Sequence, residues 1–205
     1  MKIGFTGIDE IDEGKIKYDD PKDTALVDKI NPKKITPYFV EFIRDEFVHV
    51  DAILVLKDKL LDVLIQDMEK LESRLSRAES ESEKQVVEKC LKILEKEIPL
   101  CDASLDEKEL VIINALAPVS IKPVVVAGHF TTRQDLLEKI FEKVGVVFFY
   151  TAGDKEVHSW PVKINSDIVT CAGRIHTDLA KGFIRADVVS FDDYMSSHNM
   201  NDAKQ

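Results

Sequence analysis

Compact apolar runs predict that much of this chain forms an α/β layer. Three such runs lie early, at Lys2–Ile8, Tyr38–Ile43 and Ala52–Leu56, and each has the length of a buried strand. A short helix is expected between the first two, over Asp19–Ile30, with a proline suited to its first turn. A fourth run, Pro123–Ala127, has the continuous apolar pattern typical of strands in parallel sheets.

The apolar pattern changes to a helical period over residues 57–101. Two stripes recur at three- and four-residue steps: Leu64, Met68, Leu71, Leu75 and Ala78, and then Val86, Val87, Cys90, Leu91, Leu94 and Ile98. A polar run separates them, so the simplest structure is an antiparallel helical hairpin, a short coiled coil. A further helix is expected over Asp106–Leu116, with Ser104 as its N-cap.

The C-terminal part of the chain predicts a second, smaller domain. An amphipathic helix is expected over Thr132–Val144, followed by a hairpin of strands Val146–Tyr150 and His158–Ile164. Asp167 or the serine before it is expected to cap the next helix. Phe183–Ser190 is then predicted to be a strand. Two strands, a helix and a strand is the order of a β-grasp domain.

Composition narrows the classes of function. The chain has 28 basic and 38 acidic residues, a net charge of −10, which disfavours a nucleic-acid duplex as partner. No segment has the roughly 18 consecutive apolar residues that span a membrane, and the N-terminus lacks a signal-peptide pattern. We therefore expect a cytoplasmic protein with no membrane partner. The three cysteines lack the spacing of a disulfide framework or zinc site, and Cys90 is expected to pack in the core.

A longer motif lies in the C-terminal part. Residues 148–160 are FFYTAGDKEVHSW, residues 172–178 are AGRIHTD and residues 181–188 are KGFIRADV. These segments resemble the TGS domain of YchF-type Obg-like ATPases, and the IHTD segment is also similar to TGS domains of threonyl-tRNA synthetases and stringent-response enzymes. Upstream, residues 31–42 and 50–53 resemble sheet segments of the same family.

The resemblance implies a three-part fold. Residues 1–56 and 102–128 are expected to form an α/β remnant of a P-loop GTPase-like sheet. Residues 57–101 would be an inserted antiparallel helical hairpin. Residues 129–197 would be a C-terminal β-grasp domain (TGS, ubiquitin-like), and residues 198–205 are expected to be a disordered tail.

The P-loop of that family is not matched. Such a loop needs G-x-x-x-x-G-K-[S/T] directly after the first strand, so that backbone N–H groups cradle phosphates and a hydroxyl holds magnesium. Residues 7–16 are instead GIDEIDEGKI. Gly14-Lys15 has no glycine at the required offset, and Ile16 has no hydroxyl. The carboxylates of this segment, Asp9, Glu10, Asp12 and Glu13, would repel a triphosphate.

Two further nucleotide elements of the family are replaced. After Ile43 the switch aspartate and glycine give way to Arg44-Asp45-Glu46-Phe47, and Gly128-His129-Phe130 stand where the base-reading motif is expected. No Ser-His-Asp or Cys-His signature is found either. We therefore predict no enzyme, no catalytic residue and no cofactor or metal site, with ATP and magnesium as the alternative.

The basic and aromatic residues of the TGS-like segment form the candidate interaction face: Lys155, Trp160, Arg174, His176, Lys181 and Arg185. Aromatic stacking with flanking cations is used to bind single-stranded RNA. Against that, residues 146–195 carry more acids than bases, and Trp160 would equally suit a core. His176 with Asp178 would suit a metal or acid–base pair, or His176 simply ends a helix, where a cation is favoured.

The resemblance implies a non-catalytic TGS-domain protein that acts as an interaction module with a protein partner, the ribosome or RNA. The alternatives are a residual ATP- or GTP-binding protein or weak NTPase, and an accessory subunit of a full-length relative. The family's TGS domain closes with a further strand that this chain does not show after Tyr194. We therefore expect an open sheet edge, covered by another segment or by a second copy in a homo-oligomer.

Overall fold

The computed structural model of this chain describes residues 1–128, 132–198 and 202–204. Within these ranges the strands are β1 (Lys2–Thr6), β2 (Gly14–Lys17), β3 (Ile35–Thr36), β4 (Phe39–Arg44), β5 (Ala52–Leu56), β6 (Val124–Ala127), β7 (Val146–Ala152) and β8 (Val157–Lys163). The helices are α1 (Pro21–Ile30), α2 (Leu60–Leu75), α3 (Glu81–Leu94), α4 (Glu107–Leu116), α5 (Arg133–Val144), α6 (Ile168–Ile175), α7 (Thr177–Lys181) and α8 (Phe191–Ser196). None of these helices is long and apolar enough to cross a membrane.

The chain forms two compact units. Unit 1 contains Met1–Ile16 and Val40–Val144, and unit 2 contains Lys17–Phe39 and Gly145–Gln205. This grouping differs from the predicted boundaries, which keep residues 1–56 together and start the second domain at residue 129. The reason is that α1 packs against β7 and β8, and β3 pairs with β8.

Unit 1 is built on a five-stranded sheet with the order β2-β4-β1-β5-β6. β1 is parallel to both β4 and β5, and β5 is parallel to β6. Ile3, Phe5 and Ile53 are fully buried, as expected for strands covered on both faces. The strand predicted at Ala52–Leu56 has those bounds. The strands predicted near β1, β4 and β6 are also confirmed, with ends shifted by one or two residues.

Helices α2, α3 and α4 share one apolar core with β5. Buried residues of β5, α2 and α3 meet there, among them Cys90, which confirms that this thiol packs in the core. α2 and α3 pack against each other, and their antiparallel coiled-coil geometry stays a prediction. The N-cap of α4 is Asp106, whose side chain and that of Glu109 form a capping box. Ser104 was therefore the wrong cap, because a carboxylate two residues later satisfies the free N–H groups.

Unit 2 is built on a three-stranded sheet with the order β3-β8-β7. β7 and β8 form the predicted antiparallel hairpin, and β3 adds in parallel to β8 through Ile35 and Thr36. α1 packs on this sheet, where the buried hydroxyl of Ser159 donates a 2.8 Å hydrogen bond to Asp23. β3 is too short for its apolar pattern to mark it as a strand in the sequence.

The strand predicted at Phe183–Ser190 is wrong, because residues 183–190 form no regular element in the structure. The chain forms α8 directly afterwards, with the Ser190 side chain accepting from the N–H of Asp193 as N-cap. A strand needs a hydrogen-bonded neighbour, and the described sheet adds β3 instead. The β-grasp topology therefore stays a prediction. Of the predicted tail, residues 202–204 form a short 3-10 helix, and residues 199–201 and 205 lie outside the described part.

Candidate functional site

The carboxyl ends of the parallel strands in unit 1 are the first candidate site, because open parallel sheets bind ligands at that edge. β1 ends at Thr6, and Gly7 follows with a positive φ of 75°. Ile8 and Ile11 are buried and anchor the following turn, whereas its four carboxylates are exposed. The chain then enters β2, an edge strand of the same sheet, rather than a helix.

The aliphatic part of the Lys59 side chain lies against Gly7. A β-carbon on Gly7 would lie 2.7 Å from Cγ of Lys59 and 3.0 Å from Cβ of Leu56. Nζ of Lys59 forms an ion pair with Oδ2 of Asp62 at 3.0 Å. A phosphate cradle requires free N–H groups at a helix N-terminus. At the end of β1 the helix is missing and the glycine is packed against side chains.

The end of β4 carries acidic residues with structural tasks. Asp45 has a positive φ of 53° and its N–H bonds to the carbonyl of Phe5 at 2.9 Å. Oε1 of Glu46 accepts from the N–H groups of Val48 and His49 at 2.7 and 2.8 Å, and these bonds lower the pKa of Glu46. The turn therefore uses the main chain of Asp45 and the carboxylate of Glu46. The predicted base-reading position His129 lies outside the described residues, with Phe130 and Thr131.

The β7–β8 hairpin of unit 2 presents a row of rings, the second candidate site. The rings of His158 and Trp160 stack with centroids 3.6 Å apart, and Trp160 also stacks on Phe149 at 6.3 Å. Nε1 of Trp160 donates to Oγ1 of Thr151 at 3.0 Å. All three rings are half-buried, so the row is a partly open apolar surface rather than a core. A binding role for Trp160 stays a prediction.

A polar cluster borders this row. Oε1 of Glu156 accepts from Nζ of Lys34 at 2.8 Å and from the hydroxyl of Thr36 at 2.5 Å, which lowers the pKa of Glu156. His158 lies 3.8 Å from the same oxygen, but burial outweighs that attraction and lowers the pKa of His158. The imidazole is therefore mainly neutral at pH 7. Sequence analysis missed this cluster because Lys34 and Glu156 are 122 residues apart.

The other predicted face residues are exposed and spread over several elements. Lys155 lies in the turn before β8, Arg174 on α6 and Lys181 at the end of α7, whereas Arg185 lies in the segment without regular secondary structure after α7. Among the contacts recorded in the described ranges, Trp160 meets rings and a hydroxyl, not these cations. That these residues and Trp160 form one interaction face therefore stays a prediction.

His176 lies between two helices. It is the C-cap of α6 and the N-cap of α7, where its Nδ1 accepts from the N–H of Asp178 at 3.2 Å. The carboxylate of Asp178 is 3.5 Å away, and both side chains are well exposed. In the part of the chain that the structure describes, no cluster of His, Cys, Asp and Glu has the form of a metal site. The geometry is that of a capping histidine.

Comparison with known proteins places the chain near one group. Residues 146–205 match the family model YchF-GTPase_C, protein of unknown function (DUF933). A protein named ribosome-binding ATPase YchF from Buchnera aphidicola is 25% identical over 239 residues, covering 83% of this chain and 66% of that protein. The Escherichia coli O157:H7 protein of the same name is 42% identical over 57 residues, covering 28% of this chain and 16% of that protein.

A further relative and a solved structure from the same group also resemble this chain. The Obg-like ATPase 1 of Danio rerio is 39% identical over 75 residues, covering 35% of this chain and 19% of that protein. The solved structure of the Schizosaccharomyces pombe YchF GTPase matches 100% of this chain and 91% of that chain with a TM-score of 0.74 and 16% identity. That likeness shows the fold, a mixed α/β structure with parallel and antiparallel sheets. The chain spans no more than about two thirds of the length of these curated relatives.

Proposed function

We propose that this chain, a relative of the YchF-type proteins, is a non-catalytic interaction module that associates with ribosomes in the cytoplasm. The observation that carries the proposal is the course of the chain after β1. It passes through an acidic turn into the edge strand β2, where a nucleotide site would need a glycine cradle followed by a helix. The segment that matches the family model lies instead in unit 2.

Electrostatics support the absence of catalysis. Asp9, Glu10, Asp12 and Glu13 are exposed at the end of β1, and a triphosphate placed there would meet four negative charges. Lys59, whose side-chain carbons lie beside Gly7, already pairs with Asp62. Phosphoryl transfer depends on cations and backbone donors held at the phosphates, and residues 7–16 do not carry the P-loop motif that supplies them.

The ribosome is the proposed partner because several relatives bear the name ribosome-binding ATPase. A separate ribosome-binding activity that survives loss of the ATP site is consistent with the two-unit organisation of the chain.

The first experiment titrates the purified chain with ATP and GTP in the presence of magnesium by calorimetry. The Escherichia coli relative, which is named an ATPase, serves as the positive control for ATP. We expect heat of binding for the control and none for this chain up to millimolar nucleotide. Saturable binding, or phosphate release above the background, would show that the chain retains a nucleotide site and would overturn the non-catalytic part of the proposal.

The second experiment sediments the chain with Escherichia coli ribosomes through a sucrose cushion at low and moderate salt. We expect the chain in the ribosome pellet. The double variant Arg174→Glu and Lys181→Glu tests the predicted face, and Lys92→Glu on α3 is the matched control because it also reverses an exposed charge. A chain that stays in the supernatant at both salt concentrations would contradict ribosome association.

A further inference from the structure

Helix α8 is too short to be stable without contacts to the rest of unit 2. It has six residues, Phe191–Ser196, whereas isolated helices shorter than about 12–15 residues are marginal in water. The side chain of Ser190 caps its N-terminus, so the segment itself satisfies part of the N-terminal N–H groups. The carbonyl groups of the last turn have no partner within a helix and need donors from elsewhere.

Lys29 of α1 supplies those donors. Its Nζ donates to three main-chain carbonyls, at 2.7 Å for Tyr194, 3.0 Å for Met195 and 2.5 Å for Ser197. An ammonium has three N–H donors, which matches these three carbonyls in number. The same nitrogen lies 5.0 Å from the centre of the Tyr194 ring, within the range of a cation–π contact. A positive charge at the C-terminal end of a helix also interacts favourably with the helix dipole.

A second lysine of α1 contacts the other end of α8. Nζ of Lys22 lies 5.5 Å from the centre of the Phe191 ring. Lys22 and Lys29 are seven residues apart, about two turns of a helix, so they lie on one face of α1. Phe191 and Tyr194 are three residues apart and share a face of α8. A basic face of α1 therefore packs against an aromatic face of α8.

The segment that leads into α8 packs loosely. Residues 183–190 have no regular secondary structure, and each residue from 183 to 198 is either half-buried or exposed. A cavity of about 480 Å³ is lined by residues 186–191 together with residues 148–152 of β7 and Ile168 of α6. Unfilled space removes packing contacts from the residues that line it. Elements with few buried contacts open at a lower free energy than the core does.

We propose that residues 183–198 form a strap that opens as a unit while the rest of unit 2 stays folded, and that Lys29 is the latch that keeps it closed. The charge of Lys29 is what holds the latch, because charge-assisted hydrogen bonds are roughly twice as strong as neutral ones. Loss of that charge leaves the last turn of α8 without its donors, and a helix of this length then unfolds. Opening of the strap controls the exposure of the apolar side chains of β7 and α6 at the cavity.

This inference goes beyond the proposed function, because the strap opens and closes whether or not the chain binds ribosomes. The first test uses the full chain without substitutions. NMR follows hydrogen exchange of single amides at increasing urea below the unfolding transition. The strap reporters are the N–H groups of Tyr194 and Ser197, which bond to the carbonyls of Ser190 and Asp193 at 3.0 and 3.1 Å. We expect them to be protected, but to exchange faster and to depend less on urea than the amides of the β7–β8 hairpin.

Three substitutions then test the latch. Lys29→Met removes the charge and the donors and keeps an apolar chain, whereas Lys29→Arg keeps both the charge and N–H donors. Lys33→Met is the matched control, because Lys33 is an exposed lysine of the same unit. We expect K29M to speed exchange of the strap amides by about tenfold or more, K29R to speed it less, and K33M to leave it unchanged. The hairpin amides should keep their protection in all three variants.

The parent chain alone can overturn the proposal. Strap amides without protection would show that the strap is not closed, and a urea dependence equal to that of the hairpin would show that unit 2 opens only as a whole. Among the variants, unchanged exchange in K29M, equal acceleration in K29M and K29R, or an equal loss of protection in the hairpin would each show that the charge of Lys29 is not the latch. Loss of ribosome binding in the cushion experiment would leave all of these readouts unchanged.

Discussion

The hydroxyl of Tyr150 donates a hydrogen bond of 2.5 Å to the carboxylate of Asp20, across 130 positions of the chain. Asp20 is also the N-cap of α1, where it accepts from the N–H of Lys22. Asp20 is buried, so its carboxylate needs hydrogen-bond donors from the protein. The hydroxyl of Tyr150 is one such donor. The bond therefore joins the start of α1 to β7 within unit 2.

Tyr150→Phe should destabilise unit 2 by about 1–3 kcal/mol, because a buried carboxylate loses one of its donors while the ring is kept. The measurement is urea unfolding followed by the fluorescence of Trp160, the single tryptophan of the chain. A double-mutant cycle with Asp20→Ala, which removes the acceptor, isolates the pair. Strictly additive effects of the two substitutions would show that the hydrogen bond contributes nothing.

The same pair shows what the sequence could and could not predict. Helix α1 was predictable, because Pro21 and an acidic N-cap are local signals. Its place beside β7 was not, because that place depends on contacts such as Tyr150 to Asp20, and the sequence pattern carries no signal for pairs so far apart. The division of the chain into units was missed for that reason.

The candidate sites show the same difference between local sequence signals and contacts between distant residues. The departure of residues 7–16 from the P-loop motif could be recognised in the sequence, because the motif is contiguous and each position has its own chemical requirement. The cluster of Lys34, Glu156 and His158 could not, because it forms only when β3 pairs with β8. The segment after Gly182 has the composition of a strand and was wrongly predicted to be one. A strand forms only beside a hydrogen-bonded partner strand, and composition does not reveal whether that partner exists.

Asp23→Asn should change how the stability of unit 2 depends on pH. Burial raises the pKa of Asp23 above its ordinary value of 3.8, with a smaller contribution from Asp20, while Ser159, Lys17 and His158 act in the opposite direction. A raised folded pKa favours folding below the unfolded pKa, and that advantage is lost as pH rises through the folded pKa. The asparagine keeps an oxygen for the Ser159 hydroxyl and has no charge to desolvate.

We therefore expect D23N to gain stability relative to the parent chain as pH rises from below 3.8 to neutral. Urea unfolding by Trp160 fluorescence at several pH values measures this difference. Asp28→Asn is the matched control, because Asp28 is an exposed carboxylate on the same helix. A difference between D23N and the parent chain that falls with rising pH would contradict the expected sign.

Asp67→Ala should destabilise unit 1 by about 2–5 kcal/mol, because it leaves two amides without an acceptor. Asp67 is 1% exposed, and its carboxylate accepts from the N–H groups of Val119 and Ser120 at 2.6 and 2.8 Å. Urea unfolding by far-UV circular dichroism gives the change. Asp62→Ala on the same helix is the control, and its exposed ion pair with Lys59 should contribute less than about 1 kcal/mol. Equal effects of both substitutions would argue against a special role for the buried carboxylate.

Gly4→Ala should unfold or strongly destabilise unit 1, because a β-carbon at Gly4 would lie 1.7 Å from the carbonyl oxygen of Glu46. Overpacking typically costs about 1–3 kcal/mol where side chains can move, and here the obstacle is backbone, so the loss should exceed that range. Hydrogen exchange of the β1 amides measures it directly. Gly153→Ala is the matched substitution, since a β-carbon there meets nothing within 4 Å. Normal protection of β1 in G4A would show that the turn at Glu46 can shift, and that the close approach of β1 to this turn is not required by the fold.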